Sequence, residues 1–491
     1  MESYDLLVIG GGINGAGIAR DAAGRGMKVL LVEKDDLSAH TSSSSSKLIH
    51  GGLRYLEHYE FRLVAEALAE REVLLKIARH LVWPARFIMP HVAELRPRWM
   101  IRAGLFLYDH LARRASLPGS HGVRLDAPPY NAGLKPALKH GFIYSDCRVD
   151  DARLVIINAM DARARGAEIL TRTECLSARR MDDAWRATLT GGREVRARGI
   201  VNAAGPWVKQ VLNERLRQPS KDGVKLVKGS HIVLPKLYRG DHAFILQNDD
   251  RRVVFMIPYG EHHTLVGTTD VPFDGEPDDV AASDAEAEYL CRAASRYLAQ
   301  RVEPAQVLWR YAGVRPLYDD GTSDPSAVTR DYTLRIDTDA GTAPVLSVYG
   351  GKVTTYRRLA EHALNDLAPY FPGLKGDWTA TETLIGGDFG GVDREEARDN
   401  FFARYRLLQQ EHLRGIFRRH GMLAYEVLGD ASAPADIGEH FGAGLYAREV
   451  DYFVAREWAV SAEDVLWRRT KTGLHLTPGQ RERVTRYLAR S

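Results

Sequence analysis

Gly10-Gly11-Gly12-Ile13-Asn14-Gly15 is the first stretch whose residue types imply a ligand, because it fits G-x-G-x-x-G at Gly10, Gly12 and Gly15. The first glycine makes a tight turn, the second lets the backbone approach a pyrophosphate, and the third lets a helix pack close to a strand. The helix that follows offers free N–H groups and the positive end of its dipole to phosphates. Glu33, 18 residues after Gly15, is placed to accept hydrogen bonds from an adenosine ribose. A second polar stretch starts at Thr41, continues through five serines (Ser42 to Ser46) and reaches a Gly51-Gly52 pair flanked by His50, Arg54 and Tyr55. Hydroxyl donors and close-approach glycines suit the lining of a ring system better than a flexible linker. Two later segments repeat the theme. Gly199 to Trp207 (GIVNAAGPW) ends in small residues, where the backbone must lie close to something flat. Ser347 to Tyr356 (SVYGGKVTTY) joins a Gly-Gly turn to Thr354 and Thr355 at a helix start, which would stabilise negative charge on a reduced flavin.

These residues need elements to carry them. Tyr4 to Ile9 reads as a buried strand, the alanine-rich IARDAAGRG as a tightly packed helix, and Met27 to Val32 as a second strand. An NAD-dependent chain would continue at once with further βα units, whereas here the serine loop intervenes. The ligand is also approached from positions as distant as Gly10 and Thr354, so it is extended. Both features favour FAD.

Composition narrows the class. A chain of 491 residues, 45% hydrophobic and 27% charged, holds roughly two to four domains and is not disordered. Lys+Arg of 67 against Asp+Glu of 64, with no basic stripe, argues against nucleic acid as a partner. Three scattered cysteines fit neither a disulfide framework nor a metal site and point to a reducing compartment. Adjacent His262 and His263 on a strand face opposite ways, so no metal is expected. No apolar run is long enough to span a bilayer, and Glu2 and Asp5 precede the first one, unlike a signal peptide. A cytoplasmic protein, free or on a membrane surface, is expected.

The fold class expected is α/β. A discontinuous FAD-binding Rossmann domain is assigned to 1–75, 145–212 and 340–388, and an antiparallel-sheet substrate or cap domain to 76–144 and 213–339. Residues 389–491, charge-mixed with few strand signals, read as a C-terminal helical domain. Residues 98–114 are periodic: Met100, Ile101, Leu105, Leu107, Tyr108, Leu111 and Ala112 fall on one arc, and Arg98, Arg102, Asp109, His110, Arg113 and Arg114 on the other. A basic amphipathic helix of this kind suits either a core-facing position or a bilayer surface.

GGGINGAG, SKLIHGGLRYLEHYEFRLVAEALAERE, SLPGS, NAAGPWVKQ, KGSHIV, GTTD, GVRPL, TRDY, GGKVTTYR and DVLWRRTKTGL together resemble FAD-dependent glycerol-3-phosphate dehydrogenase of the aerobic bacterial type, over residues 4 to 475. The resemblance implies a glutathione-reductase/amino-acid-oxidase-like fold. It also implies hydride transfer from C2 of sn-glycerol 3-phosphate to flavin N5, with electrons passed to a membrane quinone. A homodimer held peripherally on the inner face of the cytoplasmic membrane is expected. Phosphate-binding candidates carried over are Arg54, Arg315, Arg330 and Lys352, with Tyr55 and Thr268 in support; guanidinium forks suit a phosphomonoester. His50 and His231 are candidates for the general base that takes the C2 hydroxyl proton, and Arg315 for holding the developing alkoxide. The expected cofactor contacts are Gly10, Gly12, Ile13, Asn14, Gly15, Glu33 and Lys34, then Thr41, Ser42, Ser43, Ser46, Lys47, Leu48, Gly51 and Gly52. Cys175 (through its backbone), Ala203, Ala204, Gly205, Trp207, Gly351, Lys352, Val353 and Thr354 complete them. Competing readings are a glycerol-3-phosphate oxidase using O₂, an amino-acid oxidase relative, and a flavin-binding RNA-modification protein.

Overall fold

The computed structural model describes residues 1–92, 94–112, 115–219, 222–250, 252–319, 331–339 and 341–490. The first apolar run forms β1 (Glu2–Ile9), in which Leu6, Leu7 and Val8 are fully buried, as a strand covered on both faces of a parallel sheet must be. β1 pairs in parallel with β2 (Val29–Val32) and β10 (Glu194–Asn202). Outside these, β7 (Glu168–Leu170) adds to β2 and β18 (Thr342–Tyr349) to β10, again in parallel. β17 (Thr333–Asp339) pairs antiparallel with β18, and the ribbon of β8 (Cys175–Met181) and β9 (Ala184–Leu189) joins β10. The order β17-β18-β10-β1-β2-β7 brings the carboxyl ends of β1, β10 and β18 side by side. They deliver Gly10, Ala203 and Gly350 to one crevice, the usual ligand position in an open α/β sheet.

The second sheet runs β15 (Val271–Pro272), β11 (Gly223–Pro235), β14 (His263–Gly267), β13 (Val253–Tyr259), β12 (Ala243–Gln247), β4 (Val82–Pro90), β6 (His140–Val149), β3 (Leu48–Ile49). β16 (Trp309–Asp319) also pairs with β11, and β5 (His121–Arg124) with β6. Every pairing is antiparallel except that of β12 with β4.

Three strands depart from the expected segments. β17 lies in the cap interval but joins the first sheet, because the turn at Gly341 (φ +80°) folds it back on β18. β3 and the end of β6 lie in the intervals assigned to the flavin domain but belong to the second sheet. Between β7 and β8 the chain turns at Arg172, whose backbone is left-handed (φ +52°).

Helices α1 (Ile13–Gly24), α4 (Asp151–Ala164) and α6 (Tyr356–Leu367) pack together, with Gly17 of α1 leaving room for the Tyr356 ring. α2 (Phe61–Ile77) and α3 (Arg98–His110) follow the serine loop, and α5 (Asp284–Ser295) lies on the second sheet. Beyond them come α7 (Arg394–Arg404), α8 (Gln410–His420), α9 (Ala424–Leu428), α10 (Ala447–Glu457) and α11 (Pro478–Leu488), with a small hairpin of β19 (His440–Gly442) and β20 (Leu445–Tyr446). Buried ion pairs fasten this C-terminal part: Arg153 of α4 to Glu457, and Asp36 to Arg468 (2.6 Å) and Arg469. Charges this deep are tolerated only as pairs.

α3 does not divide into the two arcs read from its sequence. Ile101, Leu105 and Tyr108 are buried, whereas Met100 and Leu107 point outward beside Trp99 and Phe106, which are 71% and 53% exposed. The helix therefore has a second apolar face. Leu111 and Ala112 lie just past its end, and Arg113 and Arg114 lie outside the described residues.

Candidate active site

One cavity of about 560 Å³ extends from Glu33, Lys34 and Cys175 to His50, Arg315 and Lys352. At its β1 end the glycines act as the spacing implies. Gly10 has φ +112°, and a Cβ there would meet the Ala203 carbonyl oxygen at 2.5 Å. A Cβ on Gly15 would overlap the Gly10 carbonyl, so Gly15 serves helix–strand packing and does not line the cavity. Glu33 accepts from the Gly11 (2.6 Å) and Asp35 (2.9 Å) amides, and burial raises its carboxyl above the ordinary range. Asn14 Nδ2 donates to the Gly350 carbonyl at 3.1 Å, tying the first glycine turn to the last. Lys34 covers the Trp207 ring at 3.9 Å and pairs with Asp278 at 2.7 Å. A long cleft between glycine turns, with a buried acid at one end and a flat wall of Ala203, Ala204 and Gly205, fits FAD.

The serine loop lines the middle of the cavity with Thr41, Ser42, Ser44, Ser45, Ser46 and Leu48. Ser42 Oγ accepts from the Ile13 amide (3.0 Å) and Thr41 Oγ1 donates to the Val314 carbonyl (2.7 Å). Ser43 and Lys47, expected at the cofactor, do not line the cavity. Lys47 Nζ binds Asp151 (2.8 Å) and the Ser43 carbonyl (2.8 Å), so they hold the loop's shape. Gly51 and Gly52 also stand back: the Gly51 amide donates to Tyr108 Oη (2.8 Å), and Gly52, at φ +74°, leaves room for the Tyr55 ring.

The far end gathers the charges. Arg315 is ion-paired with Asp270, and its Nη2 donates to Thr268 Oγ1 at 3.0 Å. Arg54 does not line the cavity; its Nη1 lies 3.7 Å from the same Asp270. Lys352 Nζ sits 3.9 Å from the centroid of the Tyr55 ring, and both residues line the cavity. Arg330 lies outside the described residues. Of the histidines, His231 is buried, stacked on Tyr311 at 4.9 Å, with Nε2 2.9 Å from Ser46 Oγ. Burial, then Arg315 and Lys47, hold its pKa well below the ordinary value, so it is neutral. His50 is half-buried, lines the cavity and lies near the Phe255 ring. Ala203, Ala204, Gly205, Trp207, Gly351, Val353, Thr354 and Cys175 line the cavity too.

Several contributors escaped the sequence reading. Gly229, Gly267 and Gly313 stand where a Cβ would strike the Arg315 guanidinium, the His231 ring and Ser44 respectively. Asp270, Asp151 and Phe255 were also missed. The only sequence signal for Gly229, Gly267 and Asp270 was their place inside KGSHIV and GTTD.

Residues 5–357 match the family described as FAD dependent oxidoreductase, and residues 378–488 match the C-terminal domain of alpha-glycerophosphate oxidase. Aerobic glycerol-3-phosphate dehydrogenase of Escherichia coli K12 is 51% identical over 493 residues, covering 99% of this chain and 98% of that protein. D-erythritol 1-phosphate dehydrogenase of Brucella abortus is 50% identical, covering 98% and 96%. Among solved structures, glycerol-3-phosphate dehydrogenase of Bacillus halodurans complexed with FAD superimposes with a TM-score of 0.74 at 26% identity, covering 99% of this chain and 94% of that one.

Proposed function

The chain belongs to the FAD-dependent glycerol-3-phosphate dehydrogenase family, and from that premise we propose that it oxidises sn-glycerol 3-phosphate to dihydroxyacetone phosphate and passes the electrons to a membrane quinone. The observation that carries this reading is the meeting of a dinucleotide-shaped cleft with Arg315, Lys352, Tyr55 and two histidines at one end. FAD, when bound, supplies the two-electron acceptor for the C2 hydride. The residues of the chain do the rest. Arg315 and Lys352 hold the phosphate or the C2 oxygen, each charge-assisted bond contributing about 1.5–3 kcal/mol. Arg54 adds positive charge from behind Asp270, and Arg330 is assigned the same task by its motif. His50 receives the C2 hydroxyl proton: both histidines line the cavity, but His50 is only half-buried, whereas His231 is buried against Tyr311 with its Nε2 engaged by Ser46 Oγ. His231 supports the Ser46 hydroxyl.

Surface features support a membrane-side acceptor. Among the described residues no helix is long and apolar enough to cross a membrane. The outer face of α3 nevertheless presents Trp99, Met100, Phe106 and Leu107 beside Arg98, and Tyr59, 80% exposed, packs on Phe61 nearby in sequence. Aromatic and basic groups together suit a bilayer interface, where a quinone is within reach. We assign peripheral attachment to this face. The 50% identity to a D-erythritol 1-phosphate dehydrogenase supports a second reading, a longer phosphorylated polyol as substrate.

Anaerobic mixing of the yellow holoenzyme with each candidate decides. Glycerol 3-phosphate should bleach the flavin fastest, ahead of D-erythritol 1-phosphate, with amino acids inert. Turnover should proceed with a short-chain ubiquinone without stoichiometric peroxide. Faster bleaching by the tetritol phosphate would move the assignment to the second reading, and peroxide in proportion to product would replace the quinone by O₂.

A further inference from the structure

The C-terminal helices meet the second sheet at Trp83, and positive charge collects there, offset only at longer range by Glu395 and Asp241. Trp83 of β4 stands directly across from Arg148 of β6. The guanidinium carbons of Arg394, at the start of α7, and Arg418, in the last turn of α8, lie 5.3 and 5.2 Å from the Trp83 ring centroid. Their neighbours Arg398, Arg414 and Arg419 each pair with a carboxylate. For Arg148, Arg394 and Arg418 no carboxylate oxygen lies within 4 Å among the described residues.

The hydrogen bonds at this junction are also incomplete. Arg148 Nη1 donates to the Pro258 carbonyl at 3.1 Å, but among the described residues its buried Nε has no acceptor, nor has the buried Trp83 Nε1. A buried N–H without an acceptor costs free energy that folded proteins rarely leave unmet. Burial and then the neighbouring Arg418 push the Arg148 guanidinium below its usual range; burial, partly opposed by Glu395 and reinforced by Arg418, brings Arg394 down to about 10. Each unmet group is a donor or a cation, and none is an acceptor. What satisfies them together is an anion with several oxygens, and guanidinium forks favour a tetrahedral oxyanion.

We propose that Arg148, Arg394, Arg418 and Trp83 Nε1 form a second anion site, which takes inorganic phosphate or a small phosphomonoester and pins α7 and α8 to the β4–β6 edge. It is distinct from the catalytic cavity, since none of these residues lines that cavity. The proposal does not depend on the substrate assigned above.

The test uses the FAD-loaded full chain with the catalytic cavity silenced by Arg315→Gln and Lys352→Met. In that background about 20 mM phosphate should raise the melting temperature by about 1–3 °C over chloride of equal ionic strength. Adding Arg394→Gln and Arg418→Gln should abolish the increment. Calorimetric titration of the otherwise wild-type holoenzyme should find two phosphates per chain, falling to one in the Arg394→Gln/Arg418→Gln variant. If that pair folds poorly, Trp83→Phe keeps an aromatic face but loses the N–H along with part of the indole. It should weaken the second phosphate severalfold, read as the loss of the phosphate increment relative to that variant's own phosphate-free melting temperature. No increment over chloride in the silenced background, or an increment that survives both arginine replacements, means the cluster holds only water and overturns the proposal.

Discussion

Asp270 and Arg315 form an ion pair at the inner end of the cavity, and the same carboxylate lies 3.7 Å from Arg54. One acid thus fixes two of the cations assigned to the substrate phosphate. Arg315 is held again by Thr268 Oγ1, and its guanidinium fills the space a side chain at Gly229 would occupy. Such fixing matters, because a displacement of about 1 Å at a reacting group can cost about 100-fold in rate. Asp270→Asn keeps the shape and removes the charge. We expect kcat/KM for flavin reduction to fall about 10- to 100-fold, mostly through KM, with Asp270→Glu recovering part of the loss. Gly229→Ala, which drives a methyl group into the guanidinium, should act in the same direction. A KM unchanged in Asp270→Asn would remove the acid from this role.

The two histidines should separate cleanly. His50→Ala should slow flavin reduction by more than about 100-fold, the scale of a lost general base. His231→Ala, which removes a buried ring already engaged with Ser46, should slow it less and lower the melting temperature more. Because burial, Arg315 and Lys47 keep His231 neutral, the wild-type rate should show no ionisation from His231 between pH 5 and 8. Rapid-mixing rates across that range decide. A reversed order of the two variants would transfer the base to His231.

The cofactor cradle was legible because its causes are local. Gly10, Gly12 and Gly15 need one strand, one turn and one helix, all adjacent in sequence. Gly267 and Gly229 were not legible, because their reasons arise only in the folded register. His231 of β11 faces Gly267 of β14, and the Arg315 side chain from β16 crosses over Gly229. Lys47 was misread for a similar reason. Its partner Asp151 lies 104 residues away on α4, and that pairing turns the ammonium from the cavity. The outward face of α3 was hidden by averaging: Met100 and Leu107 sit on the apolar arc by angle, yet the core has room only for Ile101, Leu105 and Tyr108.

Arg153 and Glu457 are fully buried and joined to each other, with His420 beside them. Removing one charge strands the other. Glu457→Ala should therefore cost about 3–5 kcal/mol, loosening the C-terminal helices from α4, and Glu457→Gln less. Denaturant melts of the FAD-loaded chain check this. A cost under about 1 kcal/mol for Glu457→Ala would mean that solvent reaches the pair.

His80 is completely buried, neither ring nitrogen has a hydrogen-bond partner among the described residues, and burial, then Arg153, Arg394 and His420, bring its pKa down to about 3. In the unfolded chain it titrates near 6.5. Between those values the unfolded state binds the extra proton, so stability rises with pH through the window and is lost as pH falls from 6.5. Other groups titrate in the same range, so the comparison that isolates His80 is with His80→Gln. The stability advantage of the wild type should shrink by about 1.4 kcal/mol per pH unit on acidification from 6 toward 4. A difference independent of pH would place water on the ring.

Trp99, Met100, Phe106 and Leu107 occur at helix positions one and seven residues apart, so they form one stripe along the outside of α3. Ile101, Leu105 and Tyr108 anchor the opposite face, and Tyr108 is fixed further by its hydrogen bond to Asp146 at 2.7 Å. The stripe is thus held rigidly outward, and changing it leaves the core intact. Burying a large apolar side chain in an interface is worth about 1.5–3 kcal/mol, so four of them with the nearby Arg98 suffice for reversible attachment. Trp99→Ser together with Phe106→Ser should cut binding to anionic vesicles at least 10-fold and lower turnover with membrane-embedded quinone in proportion. Flavin reduction by substrate should stay within about 2-fold of wild type, since no residue of the stripe lines the cavity. Vesicle flotation at low salt, paired with anaerobic reduction rates, separates the two effects. Equal flotation of the double variant and the wild type would take the membrane face away from α3.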